Sequence, residues 1–392
     1  MATSGSWDSV GALAAAYRVA SEAVTPFLVG VEEELILLDA ESLMPMNAIE
    51  RVIAAVDGDP RFATELRTCQ IEIVTPPCET AAQVAIELAH ARSDLVERID
   101  SSIRPTAVAA HPLSVEPAEV TDRDRYHAIA ERCGSAALDG VASGLHVHVG
   151  VGGSEPTLAV FNALRSYLPE IAALAASSPY AGGRDTGFAS IRAKLNERLP
   201  QSGIPPRIPS WEALAEFVFW GRRGGLFPDP SHLWWDMRPH PLHGTIEIRI
   251  ADVQTSVEHA AGVAALCQAL VAELARRHSS GERLPTHDDA RIRTNVWQAQ
   301  RYGLDAMFAD LDTGEPQAVL TRIARLLGRL GPVAATLGDE GGLDLAWALL
   351  ADGGAVRHRR LADRHGLPGL VRILADETTR SAKRLALSRP AA

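Results

Sequence analysis

The segment Val29-Gly30-Val31-Glu32-Glu33-Glu34-Leu35-Ile36-Leu37-Leu38 places three consecutive carboxylates inside an otherwise apolar run. Unpaired carboxylates are seldom buried, so a fold that uses this run must give the charges a destination. The β-branched residues around Gly30 and the polar break Asp39-Ala40-Glu41-Ser42 favour a strand, on which Glu32 and Glu34 share one face and Glu33 takes the other. Like charges this close raise each other's pKa unless a cation lies between them, which points to a metal site or a proton-sharing pair. An edge strand with a solvated acidic face is the alternative, and the run alone leaves both open.

Three further segments repeat the design. Gln70 and Glu72 alternate with Cys69, Ile71 and Ile73 until Pro76-Pro77 ends the run. Leu145-His146-Val147-His148-Val149 puts both histidines on one face, and Thr245-Ile246-Glu247-Ile248-Arg249-Ile250 sets Thr245, Glu247 and Arg249 opposite three isoleucines. One amphipathic strand would mean little, because every half-exposed sheet makes them. Four whose polar faces carry mainly Glu, His and Arg imply a sheet that lines a cavity. An oxygen-rich donor set with imidazole suits Mg2+ or Mn2+ better than zinc, and the planar guanidinium of Arg249 suits a phosphoryl oxygen. Two points stay open: Arg249 could instead pair in-plane with Glu247 or a neighbour, and His148 could be a ligand or a hydrogen-bonded wall residue.

Around these strands the periodicity predicts helices over 9–20, 80–101, 122–133, 157–176, 210–220, 257–278, 288–302, 316–330 and 343–351, with a final pair from 355 onward. Residues 177–209 read as loop, and 221–241, which carries Arg222, Arg223, Trp234, Trp235, Asp236 and Arg238, reads as a loop of a functional site. A composition shift near 281–285 suggests a sheet-bearing core over about 1–284 and a helical C-terminal subdomain over 285–392, within a single domain of 392 residues. The formal net charge of -11 argues against a nucleic-acid partner. Cys69, Cys78, Cys133 and Cys267 form no CxxC pair, so the expectation is a cytoplasmic protein without disulfides or structural zinc. The start of the chain lacks a basic leader, and no apolar run approaches the ~20 residues that span a bilayer, so neither export nor a membrane partner is expected. No P-loop, Rossmann fingerprint or nucleophile elbow is present.

Six motifs in order carry a family resemblance: Gly30-Val31-Glu32-Glu33-Glu34, Glu72-Ile73-Val74-Thr75-Pro76, Ser143 to Gly150, Trp235-Asp236-Met237-Arg238-Pro239, Thr245 to Arg249, and Arg301-Tyr302-Gly303-Leu304-Asp305-Ala306. The chain resembles the bacterial carboxylate–amine ligases, a branch of the type 2 glutamate–cysteine ligases related to glutamine synthetase. That resemblance implies an α+β fold in which a curved antiparallel sheet forms a basket, with helices on its outer face and a helical C-terminal part. It implies ATP and Mg2+ or Mn2+ on the concave side. By position, Glu32, Glu34, Glu72, His146 and Glu247 match the metal-binding set and Arg249 the phosphate-contacting arginine; Arg238 and Arg301 fall in further catalytic motifs. The segment Asn295-Val296-Trp297-Gln298-Ala299-Gln300-Arg301 departs from the branch, which usually has basic residues on both sides of the tryptophan. The implied activity joins an amino-acid carboxylate, nearest to the side chain of glutamate, to an amine through an acyl phosphate, with glutamate–cysteine ligation the nearest reaction. A homodimer is compatible with this reading. Two other classes remain: a zinc-dependent amide or ester hydrolase, and a non-catalytic binding protein that keeps the basket. If the four glutamates converge, Glu32→Gln is expected to stabilise the metal-free protein by ending their repulsion.

Overall fold

The computed structural model describes residues 7–116 and 118–386. Residues 1–6, on which the expectation about a leader mostly rests, and residues 387–392, within the span predicted as a final pair of helices, lie outside them. Seven strands form the main sheet: β1 (Val29–Asp39), β2 (Phe62–Thr64), β3 (Gln70–Val74), β4 (Ile103–Thr106), β5 (Gly144–Gly150), β6 (Met237–Pro239) and β7 (Thr245–Asp252). All pairings are antiparallel, in the order β2-β3-β1-β5-β7-β6, with β4 joining the far end of β1. The expected α+β architecture is the observed one.

β1 is the longest strand and pairs along both edges, with β3 on one side and with β5 then β4 on the other. Its register sets Glu32 beside His146 and Glu34 beside Glu72, while β5 against β7 sets His148 beside Glu247. The aliphatic face of the sheet, including Val31, Leu35, Ile71, Val147 and Ile248, is fully buried. Helices Ala81–Arg98, Ser154–Leu164, Leu168–Ala175 and Val257–Ser279 cover it. Beyond Glu34 the polar face of β1 also turns apolar, and Ile36 and Leu38 are covered by Leu370, Val371 and Leu374 of the last helix, Gly354–Ala386. The unbroken Leu35-Ile36-Leu37-Leu38 run therefore reflects burial on both faces.

Helix Val257–Ser279 starts at the N-cap Ser256, whose hydroxyl accepts the His259 N–H. It is long and apolar enough to cross a membrane, contrary to the expectation that no segment would be, yet 83% of its most apolar window is buried inside the protein. Helices Glu340–Ala351 and Gly354–Ala386 help to bury it. Residues beyond 285 thus share the core cluster of the sheet: Leu343, Ala346 and Leu350 belong with Val149 and Leu266.

Several predicted boundaries shift. The span 157–176 is two helices joined by the 3-10 turn Arg165–Tyr167, with Pro169 in the first turn of the second helix. Pro316–Ala318 is a strand paired with Met307–Ala309, and its helix runs Val319–Leu337. Within 177–209 a short helix, Ile191–Asn196, carries Arg192 to the sheet.

Candidate active site

The polar face of β1, β3, β5 and β7 converges as the alternation predicts. Glu32 Oε2 lies 3.1 Å from His146 Nδ1, and its Oε1 lies 3.2 Å from His148 Nε2. Glu34 Oε2 accepts the Gly144 N–H at 2.6 Å, and its Oε1 lies 3.6 Å from His146 Nε2. Glu247 is fully buried beneath two guanidinium groups. Arg238 donates to both of its oxygens, at 2.6 and 3.1 Å, and Arg249 Nη1 donates to Oε1. The salt-bridge alternative for Arg249 is therefore present in the structure, and Arg249 also lines the cavity.

The sheet holds Arg249 by an irregularity that alternation does not reveal. β5 and β7 slip by one residue, so that Arg249 and Ile250 together oppose His146. Arg192 donates to the carbonyls of both bulged residues, at 3.2 and 3.3 Å. Gly144 makes room for it: a Cβ there would lie 2.1 Å from Arg192 Nη2. The bulge brings Ile250 to the cavity wall, whereas strict alternation puts it with the other isoleucines on the aliphatic side.

A cavity of about 330 Å3 opens over this face, lined by Glu32, Glu34, Glu72, His146, Arg238 and Arg249. The expected site loop contributes Trp234, Trp235 and Asp236, while Arg222 sits elsewhere, donating to the Trp7 carbonyl. Arg301 is not among the lining residues. It occupies a separate surface recess with Asp185 and Arg359, its guanidinium 5.7 Å from the Phe188 ring and 4.8 Å from that of Tyr302. Sequence reasoning passed over Glu65, Arg67, Arg125 and Arg192, which also line the cavity. Glu65 follows a three-residue strand and Arg67 precedes a turn, so neither carries a periodic signal. Only their charge within an apolar neighbourhood could have drawn notice.

The sequence profile of glutamate–cysteine ligase family 2 matches residues 28–383. The chain belongs to that family. A family 2 relative from Rubrobacter xylanophilus, named "Putative glutamate--cysteine ligase 2-3", is 37% identical over 362 residues, covering 90% of this chain and 97% of the relative. Another, from Arthrobacter sp., is 34% identical over 350 residues, or 86% of this chain and 91% of the relative. Among solved structures, the Francisella tularensis glutamate–cysteine ligase in complex with AMP aligns with a TM-score of 0.64 at 13% identity, over 93% of this chain and 95% of that one. A bifunctional glutathione synthetase from Pasteurella multocida aligns at 0.63 and 14% identity, over 90% of this chain and 52% of that one. This family 2 member is accordingly a ligase that forms carbon–nitrogen bonds.

Within the family 2 site, two sets of donors could each hold a cation. Glu32, His148 and Glu247 form one, Glu32, Glu72 and His146 the other, and in each the donor atoms lie within 4.8 Å of one another. Glu34 belongs to neither set, and His148, left open by the sequence, belongs to the first. His148 Nδ1 is engaged by Thr245 Oγ1 at 3.0 Å, which leaves Nε2 turned to Glu32 Oε1 at 3.2 Å. Metal-binding histidines are held in this way, with one ring nitrogen fixed by a neighbour outside the donor set. The charges are unevenly settled. Burial works to raise Glu32, but His148 and His146 outweigh it and hold the carboxyl well below its usual range. Burial likewise opposes Arg238 and Arg249 at Glu247 and loses. Glu72 has no such partner: burial, then the carboxylates of Glu32, Glu65 and Glu34, push it well up. Burial and Glu34 raise Glu65 to about 7. The repulsion expected at Glu32 is thus located at Glu72 and Glu65 instead. Hard oxygen donors, imidazole nitrogens and surplus negative charge fit a divalent cation.

Proposed function

We propose that the chain is an ATP-dependent carboxylate–amine ligase acting through an acyl phosphate, with the side-chain carboxylate of glutamate as the acid. The observation that carries this reading is the pair of donor sets sharing Glu32, one of which, Glu32, Glu72 and His146, lines the cavity together with Arg249 and Arg238. Adenine-nucleotide binding in the Francisella neighbour supports placing ATP in this cavity. Divalent cations, when bound, neutralise the phosphate oxygens. Arg249 and Arg238 face the phosphoryl group being transferred, and Glu247 holds the two guanidinium groups in place. The acid's oxygen attacks the γ-phosphorus and the bond to ADP breaks. The amine nitrogen then attacks the acyl carbon, phosphate departs with the carbon–oxygen bond pair, and the nitrogen gives up a proton. Catalysis is positioning and charge neutralisation without a covalent enzyme intermediate. Arg301, in its own recess, takes no part in this scheme. The residues beyond about 285 act as a helical subdomain that buttresses the catalytic core.

Purified protein with Mg2+, ATP, glutamate and a panel of amines tests the reading by release of ADP and phosphate. Release that needs both co-substrates supports it. Turnover of an amide or ester with Zn2+ and no nucleotide replaces it with the hydrolase.

A further inference from the structure

A second chamber, of about 300 Å3, adjoins the first and shares Glu197, Ser202, Gly203 and Asp236 with it. Its far wall is one stripe of helix Asp289–Tyr302, in which Arg293, Val296, Trp297 and Gln300 recur at i, i+3, i+4 and i+7. The stripe is graded from solvent inward. Arg293 is exposed and Trp297 is 43% exposed, whereas Gln300 is 2% exposed. Gln300 Oε1 is buried without a hydrogen-bond partner among the described residues. A buried amide oxygen left without a donor is costly, and a ligand N–H would relieve it.

The shared wall is acidic at one point. Glu197 is bound through both oxygens to Lys194, at 2.8 and 2.9 Å, which leaves the Asp236 side chain as the acidic group of that wall without an ion pair among the described residues. Asp236 is also fixed relative to the phosphate side of the site, because its carbonyl accepts the Arg249 N–H at 2.8 Å and its own N–H donates to the Gly203 carbonyl at 2.7 Å.

We infer that the second chamber is the subsite for the incoming amine, a primary amine whose ammonium is held by the Asp236 carboxylate and Gln300 Oε1 and whose apolar body lies along Ile204, Val296 and Trp297. The inference rests on the ligase reading and deepens it. Burial raises Asp236 to about 7, with Glu197 adding to the rise and Arg192, Lys194 and Arg249 opposing it. A carboxylate that takes up a proton near neutrality suits an amine that must lose one before it attacks.

The test uses the full chain with Mg2+-ATP and glutamate, and cysteine, leucine and isopentylamine as amine probes. Two readouts are taken: KM for each substrate, and glutamate-dependent scrambling of 18O from the β,γ-bridge of ATP without amine, which reports acyl phosphate formation alone. Gln300→Leu is expected to raise the amine KM at least about tenfold, since it removes an acceptor to a charged donor. Trp297→Ala, on the exposed rim, is expected to raise it about threefold or more and covers the case in which the buried substitution fails to fold. In both variants KM for glutamate and ATP stays within about twofold and scrambling is unchanged. Scrambling without ligation of any probe, an amine KM unmoved by the variants that fold, or an equal rise in the glutamate KM overturns the subsite and leaves the ligase standing. Neither scrambling nor ADP release by the wild type overturns the ligase reading and the subsite with it.

Discussion

Glu33 shows how one strand sends neighbouring carboxylates to different fates. It points into the core, where Arg92 meets both of its oxygens at 2.7 and 2.6 Å and also donates to the carbonyls of Thr255 and Gln254. The period-two register separates Glu33 from Glu32 and Glu34, but the partner that makes its burial tolerable lies on a helix 59 residues away. No local pattern shows that. Removing one member of a buried pair strands the other, so Glu33→Ala is expected to cost about 3–5 kcal/mol in urea melts. A loss below ~1 kcal/mol would show that water or another group reaches Arg92. The surplus charge lies elsewhere. Glu72 and Glu65 have raised values in the folded protein, so the stability they contribute is complete below the unfolded value near 4.5 and fades as pH rises through the folded one. Glu72→Gln is therefore expected to raise the metal-free melting temperature by a few degrees at pH 8 and scarcely at pH 5. Glu32→Gln is expected to lower it, since Glu32 is held by two histidines. For Arg249→Lys the charge remains but the two-pronged geometry is lost, so kcat should fall while the melting temperature holds. A large drop in melting temperature with kcat intact would make Arg249 a strut for Glu247 alone.

At the scale of elements, the legible strands were those long enough to alternate: β1, β3, β5 and β7, which carry every predicted metal-site residue. β2, β4 and β6 span only three or four residues, and Pro105 and Pro239 mark two of them as poor strand formers. Pairing to a longer neighbour defines them, and pairing is not a local property. β6 nevertheless matters, because it sets Arg238 directly opposite Glu247. The bulge in β7 was equally hidden, since it arises between strands roughly a hundred residues apart. It can be probed through Gly144→Ala. The added carbon would displace Arg192 and uncap the carbonyls of Arg249 and Ile250. We expect a stability loss of about 1–3 kcal/mol and a disproportionate fall in kcat. Loss of stability with kcat unchanged would mean that the bulge keeps its shape without Arg192.

For the whole molecule, the two faces of β1 enter two buried clusters that take in sheet and helices, so events at the cavity should register in global stability. Mg2+ with ATP is expected to raise the melting temperature, by about 2.7 kcal/mol of linkage at a hundredfold excess over Kd. Melts in EDTA and in Mg2+-ATP that coincide would remove the cation from the site. The helix Val257–Ser279 has a different consequence, one that belongs to synthesis. Two of the helices that cover it, Glu340–Ala351 and Gly354–Ala386, leave the ribosome after it does. At about 5–20 residues per second, a helix long and apolar enough to span a bilayer stays incompletely sheltered for roughly 5–20 s. Nascent chains that stop near residue 284 are expected to pellet with membranes or aggregates, while completed chains remain in the supernatant. For that interval a holdase has a defined target in the apolar face of this helix.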